Sequence, residues 1–156
     1  MKRLKKFNEF FDYRDARKRK RNIKDYINPE DLLIDIDQVL KIHDELIENY
    51  GGIYGIRDEH QLESAILKPY MSAFGEDLYP TLFKKVAALL QAITINHPLA
   101  DGNKRTAFHV VEWVLKERGY KLDIIYDDAR PTLVKIINGQ MDNDDVAEWL
   151  ESNSKK

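Results

Sequence analysis

Cysteine is absent from the 156 residues. That rules out a disulfide framework, a thiolate zinc site and a cysteine nucleophile. No apolar run approaches the roughly 20 residues a membrane-spanning helix needs, so no membrane partner is expected. Glycine and proline are sparse, at seven and five, and gather into no linker. The basic N-terminus has no apolar stretch after it, which argues against a secretory signal and for a cytoplasmic home. Gly-x-x-x-x-Gly-Lys-Ser/Thr and Gly-x-Gly-x-x-Gly are both missing, so neither a P-loop nor a dinucleotide fold has its fingerprint. The group Gly51-Gly52-x-x-Gly55 reads as a turn.

What is present suits one soluble domain, 43% hydrophobic and 33% charged. The charge is unevenly spread. Residues 1–24 hold eleven Lys/Arg against three Asp/Glu, a net +8, while the remainder holds 14 against 24, a net −10. A basic arm thus precedes an acidic body. Its simplest reading is a solvated or intramolecular segment; the functional alternative is contact with nucleic acid or an acidic partner through residues 1–24.

Helical periodicity dominates the rest. Asn28-Pro29-Glu30-Asp31 reads as a helix start, with Asn28 as cap, Pro29 in the first turn and two acids at the positive end. Apolar residues then recur at helical spacing through Ile47, and Gly51-Gly52 ends the helix. A shorter helix is expected over 59–67. Residues 68–80 hold Pro69, Gly75 and Pro80 and read as a loop or small hairpin. Residues 81–96 and 105–117 are apolar nearly all round, as buried helices are. Two short helices follow, over 131–138 and 143–151. The only other strand-like piece is 121–126. The expected class is therefore all-α, a helical bundle with one small hairpin.

The connector between the two most apolar helices carries the chemistry. It reads His97-Pro98-Leu99-Ala100-Asp101-Gly102-Asn103-Lys104-Arg105. Gly102 removes bulk where a ligand can approach the backbone. The helix beginning near Asn103 turns free N–H groups and its positive end toward the loop, which makes an anion site with phosphate as its commonest guest. Lys104 and Arg105 add full charge, and Arg105 can grip phosphate in bidentate fashion. Asp101 is a hard oxygen ligand suited to Mg bridging phosphates. His97, of a residue type that titrates near neutrality, can take a proton from an attacking hydroxyl. Together these parts describe Mg-assisted phosphoryl or nucleotidyl transfer.

The same nine residues resemble the signature of the Fic/Doc family, His-Pro-Phe-x-Asp/Glu-Gly-Asn-Gly/Lys-Arg. Residues from about Asn28 to Leu150 resemble its Doc (death-on-curing) toxin branch, through Pro29-Glu30-Asp31, Tyr50-Gly51-Gly52 and Thr106-Ala107. The resemblance implies a Fic-fold helical bundle with a small β-hairpin flap. It divides the chain into a basic extension (1–27), a Fic/Doc domain (28–151) and a tail (152–156). It implies that His97 deprotonates the target hydroxyl, that Asp101 holds Mg, and that Gly102, Asn103, Lys104 and Arg105 hold the phosphates of ATP. Lys104 stands at the variable position. There, Gly goes with AMP transfer and Lys with phosphorylation of a Ser/Thr hydroxyl of a target protein, in Doc a threonine of translation elongation factor Tu. The alternatives are an AMP transferase and an inactive binding module with a nucleic-acid-binding arm.

Several positions depart from the family pattern. The motif Phe is Leu99, an apolar swap that still packs. Ile95 stands where Doc has Arg, and His109 where Doc has Asn. The family's inhibitory helix, Ser/Thr-x-x-x-Glu-Gly/Asn, is missing, which suggests a separate antitoxin chain supplying a carboxylate to Arg105. The flap that pairs with the target segment falls at about 68–80. His43 and His60 read as structural residues, His109 as a core or surface residue one turn beyond Arg105, and Trp113 and Trp149 as core anchors.

Overall fold

A computed structural model describes Ile23 and residues 26–156. Most of the basic arm, including the expected amphipathic start at Leu4, Phe7 and Phe11 and the run Arg17–Arg21, lies outside the described residues. Six α-helices make up the described body: α1 (Ile36–Tyr50), α2 (Glu59–Leu67), α3 (Leu82–Asn96), α4 (Asn103–Glu117), α5 (Tyr126–Ile137) and α6 (Asn143–Ser152). Two small antiparallel pairs accompany them: β1 (Ser72–Ala73) with β2 (Glu76–Asp77), and β3 (Lys121–Leu122) with β4 (Ser154–Lys155). The all-α expectation with one hairpin flap is met.

Helix α3 is the axis of the core. It touches α2, α4, α5 and α6, and its residues Lys85–Leu90 and Ala92–Thr94 are all buried. Leu62, Leu89, Ile93, Leu133 and Leu150 are shielded completely, and burying a side chain of this size contributes roughly 1.5–3 kcal/mol. The caps are local and readable: Asp58 accepts from Gln61 N, Thr81 from Lys84 N, and Asp142 with Asp145 closes a capping box. Trp113 and Trp149 pack against the core as expected.

Two helix starts differ from the sequence reading. Asn28 makes no side-chain cap, and Pro29–Asp31 is an isolated 3₁₀ turn. The chain then runs extended, with Leu33 and Ile34 buried and the Leu33 amide donating to the Tyr70 hydroxyl. Helix α1 begins only at Ile36, where Asp35 accepts from Gln38 N. Tertiary burial of Leu33 and Ile34 thus overrides the local start signal. Helix α5 begins at Tyr126 rather than Pro131, which lies inside it. Both Asp127, whose carbonyl loses its partner to the proline, and Pro131 are exposed, so water can serve that carbonyl.

Packing also crosses the expected boundaries. Ile23 and Ile27 are buried in the core, and Ser154 and Lys155 pair with β3.

Candidate functional site

Residues 97–102 link α3 to α4, and their backbone is sewn onto the segment 55–58. The Ala100 amide donates to Gly55 O at 3.0 Å, and the Arg57 and Asp58 amides donate to Pro98 O at 2.9 and 3.0 Å. Ile56 and Leu99 form an isolated antiparallel bridge between them. From below, Leu99 anchors the loop with no exposure at all. The apolar replacement of the motif Phe therefore packs the loop onto the core.

Each polar residue of the loop has a distinct cause for its place. His97 caps the C-terminus of α3 in the left-handed conformation, at φ 48° and ψ 56°. A non-glycine residue there is strained and persists only where its surroundings over-determine it. Arg57 supplies that constraint. Its Nε donates to His97 O at 2.6 Å and its Nη2 to Asn96 O at 2.7 Å. These are carbonyls that the helix end leaves without internal partners. The backbone is held, and the His97 residue itself stays exposed.

Asp101 is gripped from both sides. Its backbone oxygen accepts from His43 Nε2 at 2.8 Å. Its carboxylate accepts from the Gly102 amide at 2.8 Å and from the Ile53 amide at 3.3 Å. Gly52 lies against it so closely that a Cβ there would stand 2.8 Å from Oδ2.

Gly102 caps α4 at φ 67°, and the first helical bond is Thr106 N to Gly102 O. The amides of Asn103, Lys104 and Arg105, ahead of that bond, have no partner among the described residues. They form the donor cluster expected of a helix start. The Asn103 carboxamide is turned onto the backbone of the loop. Its Oδ1 accepts from Leu99 N at 2.9 Å and its Nδ2 donates to Leu99 O at 3.1 Å. It ties the loop shut with one of its two Nδ2 hydrogens, and the second, together with the backbone N–H, remains for an anion. Lys104 and Arg105 sit half-exposed on the first turn.

Around this loop stand residues that sequence reasoning did not assign to the site. His43 read as structural; it is wholly buried, holds the Asp101 carbonyl, and leaves Nδ1 without a partner among the described residues. Its one signal was its place on the apolar stripe of α1 with Val39, Ile42 and Ile47. Arg57 and Tyr126 gave no signal, and Tyr50 only the resemblance carried by Tyr50-Gly51-Gly52. His109 is half-buried, with Nδ1 3.2 Å from Glu112 Oε1 and its ring beside Tyr126. Ile95, at the position of the family Arg, is about half exposed.

The flap precedes α3 in the chain, and the residues flanking it bond to Lys85 in the first turn of that helix. Phe74 and Gly75 both take positive φ, 52° and 79°, as a two-residue hairpin loop requires. Lys85 is buried beneath it, its ammonium donating to the carbonyls of Tyr79 and Pro69. Burial lowers the Lys85 pKa, against a smaller opposing effect of Asp77.

A family model described as the Fic/DOC family matches residues 33–115, the span from the buried Leu33 to the end of α4's core face and including the whole loop. This chain belongs to the Fic/Doc family. It is 37% identical over 103 residues to the Toxin Doc of Mycolicibacterium smegmatis, covering 65% of this chain and 79% of that protein. It is 30% identical over 97 residues to the Protein kinase doc of Escherichia phage P1, covering 62% and 71%. The Fic/Doc segment ends at 115, so α5, α6 and β4 lie beyond it.

Proposed function

We propose that this protein is a Doc-like toxin that transfers a phosphoryl group from ATP to a Ser/Thr hydroxyl of a target protein and so arrests translation. The observation that carries the reading is the loop itself. An exposed His97 and an exposed Asp101 stand on the loop that leads into the partner-free amides of α4, with Lys104 and Arg105 on the first turn of that helix. The names of the two relatives, a toxin and a protein kinase, agree with it.

In this reading His97 accepts the proton of the target hydroxyl, help typically worth roughly 10²–10⁴ in rate. The amides of Asn103, Lys104 and Arg105 bind phosphate oxygens at the helix end, and the Lys104 and Arg105 side chains neutralise their charge. Asp101 fits a magnesium ion. Its carboxylate is exposed, and a single such ligand beside phosphates matches the way this ion is usually held. When bound, the ion supplies charge neutralisation between the phosphates. The protein's own task is positioning, performed through Arg57, His43 and Gly52.

A second reading, AMP transfer, is favoured by Ile95, which offers no charge where the family's kinase has Arg. Full-length protein given α- or γ-labelled ATP and a cell lysate, or elongation factor Tu, separates the two. Label from the γ position is the expected result; label from the α position alone supports AMP transfer. Neither label, together with salt-sensitive nucleic-acid binding by residues 1–24, supports the binding module. His97→Ala should abolish transfer without moving the thermal melt. Lys104→Gly should shift label toward the α position, and retained γ transfer alone would contradict that.

The partners follow. The short edges of β1 and β2 suit backbone pairing with a target segment. No carboxylate among the described residues pairs with Arg105, which leaves it open to one from a separate antitoxin chain. Purification of the protein alone from its native operon would count against this. No described helix is long and apolar enough to cross a membrane, consistent with a cytoplasmic site of action.

A further inference from the structure

Arg105 is flanked by two aromatic rings. Its guanidinium carbon lies 4.0 Å from the centroid of Tyr50 and 4.4 Å from that of Tyr126. The rings come from elements far apart in the chain: Tyr50 closes α1 and Tyr126 opens α5. Tyr126 lies outside the segment 33–115 that the family model matches. It is also braced. Phe108, itself buried, meets it at 5.8 Å between centroids, and the His109 ring lies 6.5 Å away, only 27° from parallel. Tyr50, by contrast, is 64% exposed.

The face of a tyrosine ring attracts a guanidinium electrostatically. An arginine held by the faces of rings keeps its in-plane N–H donors free, and these are the groups that grip a phosphate in bidentate fashion. Arginine is rotamer-rich, so ordering it only when ligand arrives weakens binding. Rings that order it beforehand remove that loss.

We propose that Tyr50 and Tyr126 form an aromatic clamp that pre-orders Arg105 as a fork for the phosphates of a nucleoside triphosphate. Both tyrosines are positioning residues, acting through Arg105. The inference rests on the reading of Arg105 as a phosphate ligand and goes beyond it, since it names what holds that ligand in place.

The test uses the full chain and two readouts that need no transfer activity. The first is the Arg105 Nε–H resonance, assigned by its loss in Arg105→Lys. Ring currents displace it in the wild type. Tyr50→Leu and Tyr126→Leu should each move it toward the position of a free arginine, while Tyr50→Phe and Tyr126→Phe should leave it in place. The second is calorimetric titration with Mg–ATP and Mg–pyrophosphate. Each Leu variant should bind about fivefold more weakly, as expected for loss of one exposed cation–π contact, each Phe variant should restore binding, and the effect should vanish in an Arg105→Lys background.

Because Tyr50 is mostly exposed, Tyr50→Leu carries the test even where Tyr126→Leu fails to fold. An Arg105 resonance unmoved in Tyr50→Leu overturns the clamp. A moved resonance with unchanged affinity overturns its role in binding, as does a wild type that binds neither ligand. A wild type that binds both but transfers no label sinks the proposed activity and leaves the clamp standing.

Discussion

Gly52 is the position around Asp101 that tolerates substitution least. A methyl group placed on it would meet Asp101 Oδ2 at 2.8 Å and Ile47 Cδ1 at 2.9 Å, and its backbone sits at φ 122°. Two costs follow for Gly52→Ala. The backbone lies in territory that only glycine visits readily, a strain of about 1–3 kcal/mol. The contact adds overpacking of about 1–3 kcal/mol, because neither neighbour yields freely. Ile47 is buried, and the Asp101 carboxylate is held by the Ile53 and Gly102 amides. Gly51 provides an internal control: it has φ 82° and ψ 173°, and a Cβ there would meet nothing within 4 Å. Gly51→Ala should therefore carry the backbone cost alone. Urea unfolding of the two variants should differ by the contact cost, with Gly52→Ala the less stable. The displaced carboxylate should also lower Mg–ATP affinity in Gly52→Ala by about tenfold relative to Gly51→Ala, some 1.4 kcal/mol. Equal stability and equal affinity in the two variants would refute the claim that Gly52 keeps the space in which Asp101 stands.

Other expectations concern the supports of the loop and flap. Arg57→Ala removes the donors to Asn96 O and His97 O. Because Arg57 is exposed, the melt should fall by only about 1 kcal/mol, while kcat falls about 10²-fold as His97 loses its geometry. An unchanged kcat in steady-state assays would rule out that role. His43→Leu removes the bond to Asp101 O but also the partnerless buried Nδ1. Stability should change by less than about 1 kcal/mol, yet calorimetry should show weaker Mg–ATP binding. Lys85→Met strips the carbonyls of Tyr79 and Pro69 of their donor, a cost of about 1–3 kcal/mol. The folded pKa of Lys85 lies below the usual 10.5, so between those two values the unfolded chain binds more protons than the folded one. The stability contributed by Lys85 therefore rises with pH through that interval and is least below the folded pKa. In urea melts the gap between wild type and Lys85→Met should widen as pH approaches 10.5; a narrowing gap would contradict the sign.

How far the sequence reaches is clearest where local and distant forces meet. Helices α2, α3 and α6 follow from apolar periodicity and from side-chain caps within three residues of the helix start, and α4 from periodicity and the glycine before it. Asn28-Pro29 and Pro131 are equally good local signals, yet neither starts an α-helix. At the first, the buried Leu33 and Ile34 and the Tyr70 hydroxyl 37 residues away decide the path. At the second, exposure lets α5 run through the proline.

The site divides in the same way. Nine contiguous residues hold the groups suited to the chemistry, which is why they could be named from the chain alone. What keeps those groups still comes from elsewhere: His43 lies 58 residues from Asp101, and Arg57 lies 40 from His97. The strap between 55–58 and 97–100 is made mostly by backbone atoms, and every residue but proline carries the same donor and acceptor. A pairing of that kind leaves almost no mark on residue identity. The exceptions are places where a side chain would collide or a charge must reach a helix end, and at this loop those places are Gly52 and Arg57. Substitutions there disturb the scaffold of the site while every residue assigned to its chemistry keeps its identity.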